Sequence, residues 1–304
     1  MAKKNNQHIN PETYLKHFAE DKFIYAIQLN NKFQNKPFRE GVGHKMFTKR
    51  KYYNFPNRKN EPILENIFSN IENDDYNTII SNIENRINLR IDTKQLLVDW
   101  MLMMKFRSTK FRDNFSESVS WTENTMERLR TGNGLSQETE RELEKKGKSI
   151  GKAIQLSAFL EKEQYTELRK SFFVNFMSRN WVIMESKSIN FITSDNPGYS
   201  FTLSKDIVRF NLSPVSSMYN FNHKDNSIHV FPLTYNKCLF LTPFSEDEVV
   251  EINDRGVDRI LQKEIEFREC TIDEVNEVND VTASLAHELI IGKTETDLNK
   301  YFKK

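Results

Sequence analysis

The spacing of apolar residues along the chain changes twice, and each change predicts a different kind of structure. Residues 1–60 contain short apolar stretches bounded by turn-forming residues, which predict a small β meander. Over residues 61–178 the apolar positions recur every three or four residues, which is typical of amphipathic helices. Residues 179–304 return to short apolar stretches and end in a helix that we expect to run from Thr271 to Gly292.

The order of these segments predicts the α+β class. Strand-forming and helix-forming stretches are segregated along the chain instead of alternating. The short connections in the third segment are rich in Pro, Gly, Asn and Ser and favour antiparallel pairing. We therefore expect an N-terminal small β meander, a central helical block and a C-terminal antiparallel sheet with a terminal helix, all in a single compact domain over residues 1–304.

Composition excludes several kinds of site and location. With 38% hydrophobic residues the chain can bury a core without disulfides or structural metal. Cys238 and Cys270 have no paired spacing, which argues against a structural zinc site and favours a reducing compartment. No stretch approaches the ~20 apolar residues of a membrane helix, and no apolar signal segment follows the first residues. A cytoplasmic location is expected, with no membrane partner, and the oligomeric state stays open.

The net charge of +1 conceals an uneven distribution. Residues 1–60 carry 13 Lys and Arg against 4 Asp and Glu, whereas the remainder carries 31 against 39. The basic segment is also rich in Phe and Tyr, so it could bind nucleic acid by contacting phosphates and stacking on bases. Alternatively, the aromatic residues fill a core and the lysines are solvated. The sequence leaves both interpretations open.

Several segments resemble, in this order, a bacterial domain-of-unknown-function family, the family designated 4238. They are His8-Ile9-Asn10-Pro11-Glu12-Thr13-Tyr14-Leu15-Lys16-His17-Phe18, Leu64-Glu65, Ile71-Glu72, Phe106-Arg107-Ser108-Thr109-Lys110-Phe111-Arg112, Phe191-Ile192-Thr193-Ser194-Asp195-Asn196-Pro197 and Phe231-Pro232-Leu233-Thr234. The resemblance implies a shared architecture and shared polar positions. It implies no reaction.

Six polar residues in these segments are candidates for a functional site. They are His8, Glu65, Glu72, Arg107, Arg112 and Asp195. Residues seven positions apart on a helix lie about 20° apart around its axis, so Glu65 and Glu72 can face one cleft. These two carboxylates and Asp195 would suit Mg²⁺ or Mn²⁺, which prefer oxygen ligands.

These residues together suggest a metal-dependent phosphodiester hydrolase, a nuclease-like enzyme in a conflict or defence role. His8 would act as a metal ligand or general base, and Arg107 and Arg112 would bind phosphate. The alternative is a non-catalytic module that binds nucleic acid or protein. The chain has no GxGxxG, P-loop, HExxH or GxSxG motif, which disfavours nucleotide-dependent and hydride-transfer classes.

Each candidate also has a structural interpretation. The glutamates could pair with the arginines between helices, and Asp195 could close its turn by accepting a backbone hydrogen bond. His8 could donate to a backbone carbonyl. The enzymatic hypothesis therefore requires that these side chains converge when the chain folds.

Overall fold

The computed structural model describes eleven parts of the chain. These are residues 6–29, 36–50, 52–54, 67–69, 72, 76–131, 136–157, 173–203, 208–210, 227–245 and 263–302. Their segregated helices and antiparallel-rich sheets confirm the α+β class.

The strands in chain order are β1 (Asn6–His8), β2 (Phe23–Gln28), β3 (Phe38–Gly41), β4 (Thr48–Arg50), β5 (Asn180–Glu185), β6 (Thr193–Ser194), β7 (Tyr199–Leu203), β8 (Val208–Phe210), β9 (Ser227–Thr234), β10 (Lys237–Thr242), β11 (Glu266–Glu269) and β12 (Leu289–Gly292). The helices are α1 (Glu12–Leu15), α2 (Tyr76–Glu84), α3 (Ile91–Arg107), α4 (Thr109–Thr131), α5 (Gln137–Ser157), α6 (Ile272–Leu285) and α7 (Glu295–Leu298). Short 3₁₀ turns follow α1 and precede β4.

The strands form sheets that join distant parts of the sequence. Strands β1 and β4 pair with each other. A six-stranded sheet has the order β11-β5-β10-β9-β7-β8, in which β11 is parallel to β5 and the other pairs are antiparallel. A four-stranded sheet has the order β3-β2-β12-β6. The N-terminal strands β2 and β3 are thus completed by two strands from the C-terminal region.

The terminal helix begins as predicted but ends earlier. Thr271 accepts a hydrogen bond from the backbone N–H of Glu274, whose carboxylate accepts in return from the backbone N–H of Thr271. This capping box stabilises the first turn. The prediction that the helix extends to Gly292 is wrong, because α6 ends at Leu285 and residues 289–292 pair with β2 as strand β12.

Aromatic side chains connect the helical block to the sheets. The rings of Tyr76 and Trp100 are stacked with centroids 3.9 Å apart, and the ring of Tyr14 lies 5.4 Å from that of Trp100. The buried hydroxyl of Tyr14 donates to the carbonyl of Pro232 on β9 over 2.7 Å. This contact satisfies the polar atom that burial would otherwise leave unpaired.

Helices α4 and α5 pack closely because two glycines lie at their interface. A Cβ atom on Gly151 would lie 2.9 Å from the carbonyl oxygen of Arg112, and one on Gly147 would lie 2.6 Å from that of Ser116. Those distances are too short for any larger residue without movement of backbone atoms. The close approach fixes the first turns of α4, where Arg112 lies.

Among the described residues, none of the helices combines the length and the apolar character needed to span a bilayer.

Candidate functional site

Arg107, the last residue of α3, is the centre of a buried polar network. Its side chain is 1% exposed and forms an ion pair with Glu72. Its Nε donates to the carbonyl oxygen of His8 over 2.9 Å. The guanidinium carbon lies 4.7 Å from the ring centroid of Phe68 and 5.3 Å from that of Tyr53. The network therefore fixes β1 against the end of α3.

Asp195 follows β6 and forms a second buried network. Its Oδ1 accepts from the backbone N–H groups of His287, at 3.0 Å, and Leu289, at 3.2 Å. Its Oδ2 accepts from the backbone N–H of Glu288 at 3.0 Å and from the hydroxyl of Thr109 at 3.4 Å. A carboxylate offers about four lone-pair positions, so protein donors occupy all of them. Burial raises the pKa of Asp195, although the three backbone N–H groups act in the opposite direction.

The segment that Asp195 holds presents a histidine to an aspartate on α4. The Nε2 atom of His287 lies 2.9 Å from Oδ2 of Asp113, and both side chains are partly exposed, at 27% and 45%. The hydrogen bond to Asp113 raises the pKa of His287 and lowers the pKa of Asp113. A histidine with a raised pKa is charged over part of the neutral range and can transfer a proton there.

Arg112 and Lys49 lie beside this pair, and Lys152 lies near Arg112. The guanidinium of Arg112 stacks 3.4 Å from the ring centroid of Tyr52 and donates to the carbonyl of Tyr52 over 3.0 Å. The ammonium of Lys49 lies 2.5 Å from a carboxylate oxygen of Glu288. On α5, burial and the nearby charge of Arg112 lower the pKa of Lys152.

A shallow pocket opens beside these groups. We call it the Lys49–Glu288 pocket, and it is lined by Ile9, Asn10, Met46, Phe47, Lys49, Asp195, Glu288 and Leu289. The side-chain amide of Asn10 is buried and donates to the carbonyl of Ser194 over 2.8 Å. Its Oδ1 atom accepts no hydrogen bond from the described residues. One of the residues that line the pocket therefore has a buried acceptor without a donor among the described residues.

The residues predicted from the sequence are only partly brought together. The carbonyl of His8 and the side chains of Glu72 and Arg107 meet in one network. Arg112 lies with the exposed charged groups around the His287–Asp113 pair. Glu65 lies outside the described residues, so its predicted place beside Glu72 stays a prediction.

Asp195 lies between the Arg107 network and the charged groups around the His287–Asp113 pair. Through Thr109 it contacts the start of α4, and through its backbone partners it fixes the segment that carries His287. The described residues contain no group of three or more His, Cys, Asp and Glu side chains arranged to hold a metal ion. The predicted roles of Glu72 and Asp195 as metal ligands therefore stay predictions.

Sequence reasoning did not identify the groups that form the exposed part of this site. Asp113 directly follows Arg112, but nothing in the sequence marks it as a partner of His287. Lys49 is one of many cations in residues 1–60. No spacing rule links these residues, because tertiary folding alone brings them together.

Comparison with known proteins supports the resemblance noted in the sequence. A search of curated proteins and a search of solved structures gave no match. A family model described as protein of unknown function, DUF4238, matches residues 6–296. The match covers nearly the whole chain, and the chain therefore belongs to the DUF4238 family.

Proposed function

We propose that the chain binds nucleic acid at the Lys49–Glu288 pocket and hydrolyses phosphodiester bonds there. The observation that carries this proposal is the 2.9 Å contact between His287 and Asp113, which is partly exposed beside Arg112 and Lys49. A histidine oriented by a carboxylate is a recurrent acid–base group in catalysis.

The cations favour a phosphate-containing substrate. Arg112 lies close enough to Lys152 to lower its pKa, and Lys49 lies at the pocket. A phosphodiester carries one negative charge that such groups attract, and arginine binds phosphate oxygens in its forked geometry. Lys49 exchanges its contact with Glu288 for phosphate when substrate binds.

Asp195 holds the backbone of His287 and Glu288, and the side chains of these two residues carry out the acid–base chemistry. A water molecule gives a proton to the carboxylate of Glu288 as its oxygen forms a bond to phosphorus. The bond from phosphorus to the leaving oxygen breaks, and that oxygen takes a proton from the protonated imidazole of His287. Asp113 holds the imidazole through Nε2, so Nδ1 supplies this proton.

The buried acceptor of Asn10 favours a nucleotide over a simple phosphate. Asn10 lines the same pocket, and its buried Oδ1 atom accepts no hydrogen bond from the described residues. Ribose hydroxyls and base amino groups are donors that would satisfy it, whereas a phosphodiester has none. Asn10 and Lys49 both belong to the basic segment for which the sequence suggested nucleic-acid binding.

In this proposal Asp195 is a positioning residue, because protein donors occupy its lone pairs. The Mg²⁺ or Mn²⁺ predicted from the sequence remains a separate prediction, which the cleavage assay tests directly. A cytoplasmic location and a role in defence also stay predictions.

The test is a cleavage assay with labelled single-stranded RNA and DNA. The full chain is incubated with EDTA and, separately, with Mn²⁺. Removing a general acid slows a reaction by ~100-fold or more, so we expect His287→Gln to lose cleavage by that factor while it still binds the strand. His44→Gln is the matched control, because His44 forms a partly exposed pair with Glu40 at 3.8 Å.

The outcomes separate the hypotheses. Cleavage in EDTA that depends on His287 supports the proposal, and equal cleavage by wild type and His287→Gln contradicts it. Cleavage only with Mn²⁺ supports the metal-dependent mechanism expected from the sequence. Binding that weakens steeply with salt, without cleavage, supports the non-catalytic module.

A further inference from the structure

A second polar cluster is buried at the six-stranded sheet, away from the Lys49–Glu288 pocket. Ser200 on β7 and His229 on β9 are cross-strand neighbours, and Oγ of Ser200 lies 2.6 Å from Nδ1 of His229. The Nε2 atom of His229 lies 2.8 Å from Oδ1 of Asn175, in the helical segment 173–177. His229 is 2% exposed and Asn175 is 3% exposed.

Two cations act on this cluster. Burial lowers the pKa of His229 well below its ordinary value, and the charges of Arg179 and Lys105 lower it further. Arg179 is 2% exposed. On α3, burial of the ammonium group lowers the pKa of Lys105 to about 8. The imidazole of His229 is therefore neutral at neutral pH.

Lys105 has little within the described residues to balance its charge. Its Nζ atom contacts the carbonyl of Gly198 at 3.5 Å, and it forms no ion pair with a described carboxylate. In the same cluster, Nδ2 of Asn175 is buried and donates no hydrogen bond to any residue that the structure describes. A buried cation and a buried donor without an acceptor are both costly, and an anionic ligand would satisfy both.

The hydrogen-bond chain from Ser200 through His229 to Asn175 could also activate a serine nucleophile. In such chains the histidine takes the proton of the hydroxyl and becomes an imidazolium. Here that imidazolium would form near Lys105 and Arg179, where like charge opposes it. The charges therefore favour a bound anion over serine chemistry.

We propose that Lys105, Asn175 and Arg179 form a buried anion site that binds a phosphate group. The ammonium of Lys105 and the amide of Asn175 supply several N–H donors, and phosphate offers several acceptor oxygens around one centre. Its double negative charge suits a place where two cations act together. This site is separate from the proposed catalytic pocket and does not depend on it.

The test measures binding of inorganic phosphate by the full chain in phosphate-free buffer. A ligand that binds only the folded state raises the melting temperature. We expect phosphate to raise the Tm of the wild type, while sodium chloride at equal ionic strength does not. Lys105→Met should lose this rise, with an affinity at least ~10-fold lower by titration calorimetry.

Two further variants keep the result interpretable. Lys110→Met, on the next helix, removes a partly buried cation and should keep the rise. If Lys105→Met fails to fold, Lys105→Arg is measured instead. It keeps the positive charge and should retain phosphate binding. No phosphate-dependent rise in the wild type, or equal affinity in wild type and Lys105→Met, would overturn the proposal.

A second arm identifies the source of the phosphate group. Binding of both inorganic phosphate and a 5′-nucleoside monophosphate supports a site that accepts phosphate esters. Binding of inorganic phosphate alone supports a closed site for the free ion. If both ligands bind weakly and Lys105→Met does not change their affinity, neither kind of site exists at Lys105.

Discussion

The Asp195 network and the His287–Asp113 pair use the same kinds of side chain in opposite ways. Asp195 is 3% exposed, and four protein donors surround its carboxylate. Asp113 is 45% exposed and forms an ion pair with His287. Protein donors surround the first carboxylate, whereas the second is partly exposed. Residue type alone therefore does not separate a structural carboxylate from one available for chemistry.

The Arg107 network resembles the Asp195 network, because the charged side chain at its centre is also buried. Its guanidinium is buried against Glu72, the carbonyl of His8 and two aromatic rings. Arg112, five residues later, keeps access to the exposed site. Two arginines from one family-like segment thus have different roles: Arg107 is part of a buried network, and Arg112 lies at the exposed site.

The largest expected effect comes from removing the Asp195 carboxylate. Asp195→Ala leaves three backbone N–H groups without their acceptor, and each buried unpaired donor costs about 1–3 kcal/mol. We expect a loss of about 4 kcal/mol in the free energy of unfolding, measured by urea denaturation. Asp195→Asn keeps one acceptor oxygen and should lose less. Wild-type stability in Asp195→Ala would show that this network is not structural.

A smaller loss of stability is expected when the buried ion pair of Arg107 is broken. Breaking a buried ion pair by removing one partner costs about 3–5 kcal/mol, but Glu72 is 22% exposed and water reduces this cost. We expect Arg107→Met to lose about 2 kcal/mol in urea denaturation. A double-mutant cycle with Glu72→Gln should give a coupling energy of about 1 kcal/mol. Additive effects would contradict a direct structural role for the pair.

The smallest effect concerns the pH dependence of the exposed pair. The pKa of His287 is raised above 6.5, so its contribution to stability is complete below that value and is lost as pH rises through the folded-state pKa. The pKa of Asp113 is lowered below 3.8, so its contribution is lost only as pH falls through that lower value. Because both side chains are partly exposed, the total stays below about 1 kcal/mol.

The measurement compares urea denaturation of wild type and His287→Gln between about pH 5 and about pH 9. The stability difference should shrink as pH rises through the raised pKa of His287. A difference that is constant with pH would show that the charge of His287 does not contribute.

Much of the fold could be predicted because its signals are local. The segregation of helix and strand patterns gave the α+β class, and the Thr271–Glu274 capping box marked the start of α6. The end of that helix could not be predicted in the same way. Residues 289–292 are apolar enough to continue a helix, but pairing with β2 and β6 favours a strand.

The site was only partly predictable for a related reason. Arg112 and Asp195 were identified from family-like segments, and both lie at or beside the exposed site. His287, Asp113 and Lys49 belong to no motif, because their contacts join residues far apart in the sequence. The polar cluster around His229 has the same origin, since it joins residues of β7, β9 and the segment 173–177.

Local spacing and capping residues were enough to indicate the family, the α+β class and the start of the terminal helix. The tertiary structure decided which polar residues are saturated and which remain accessible. That distinction depends on hydrogen-bond donors from distant backbone, as at Asp195, and on burial, and neither is encoded by any local pattern.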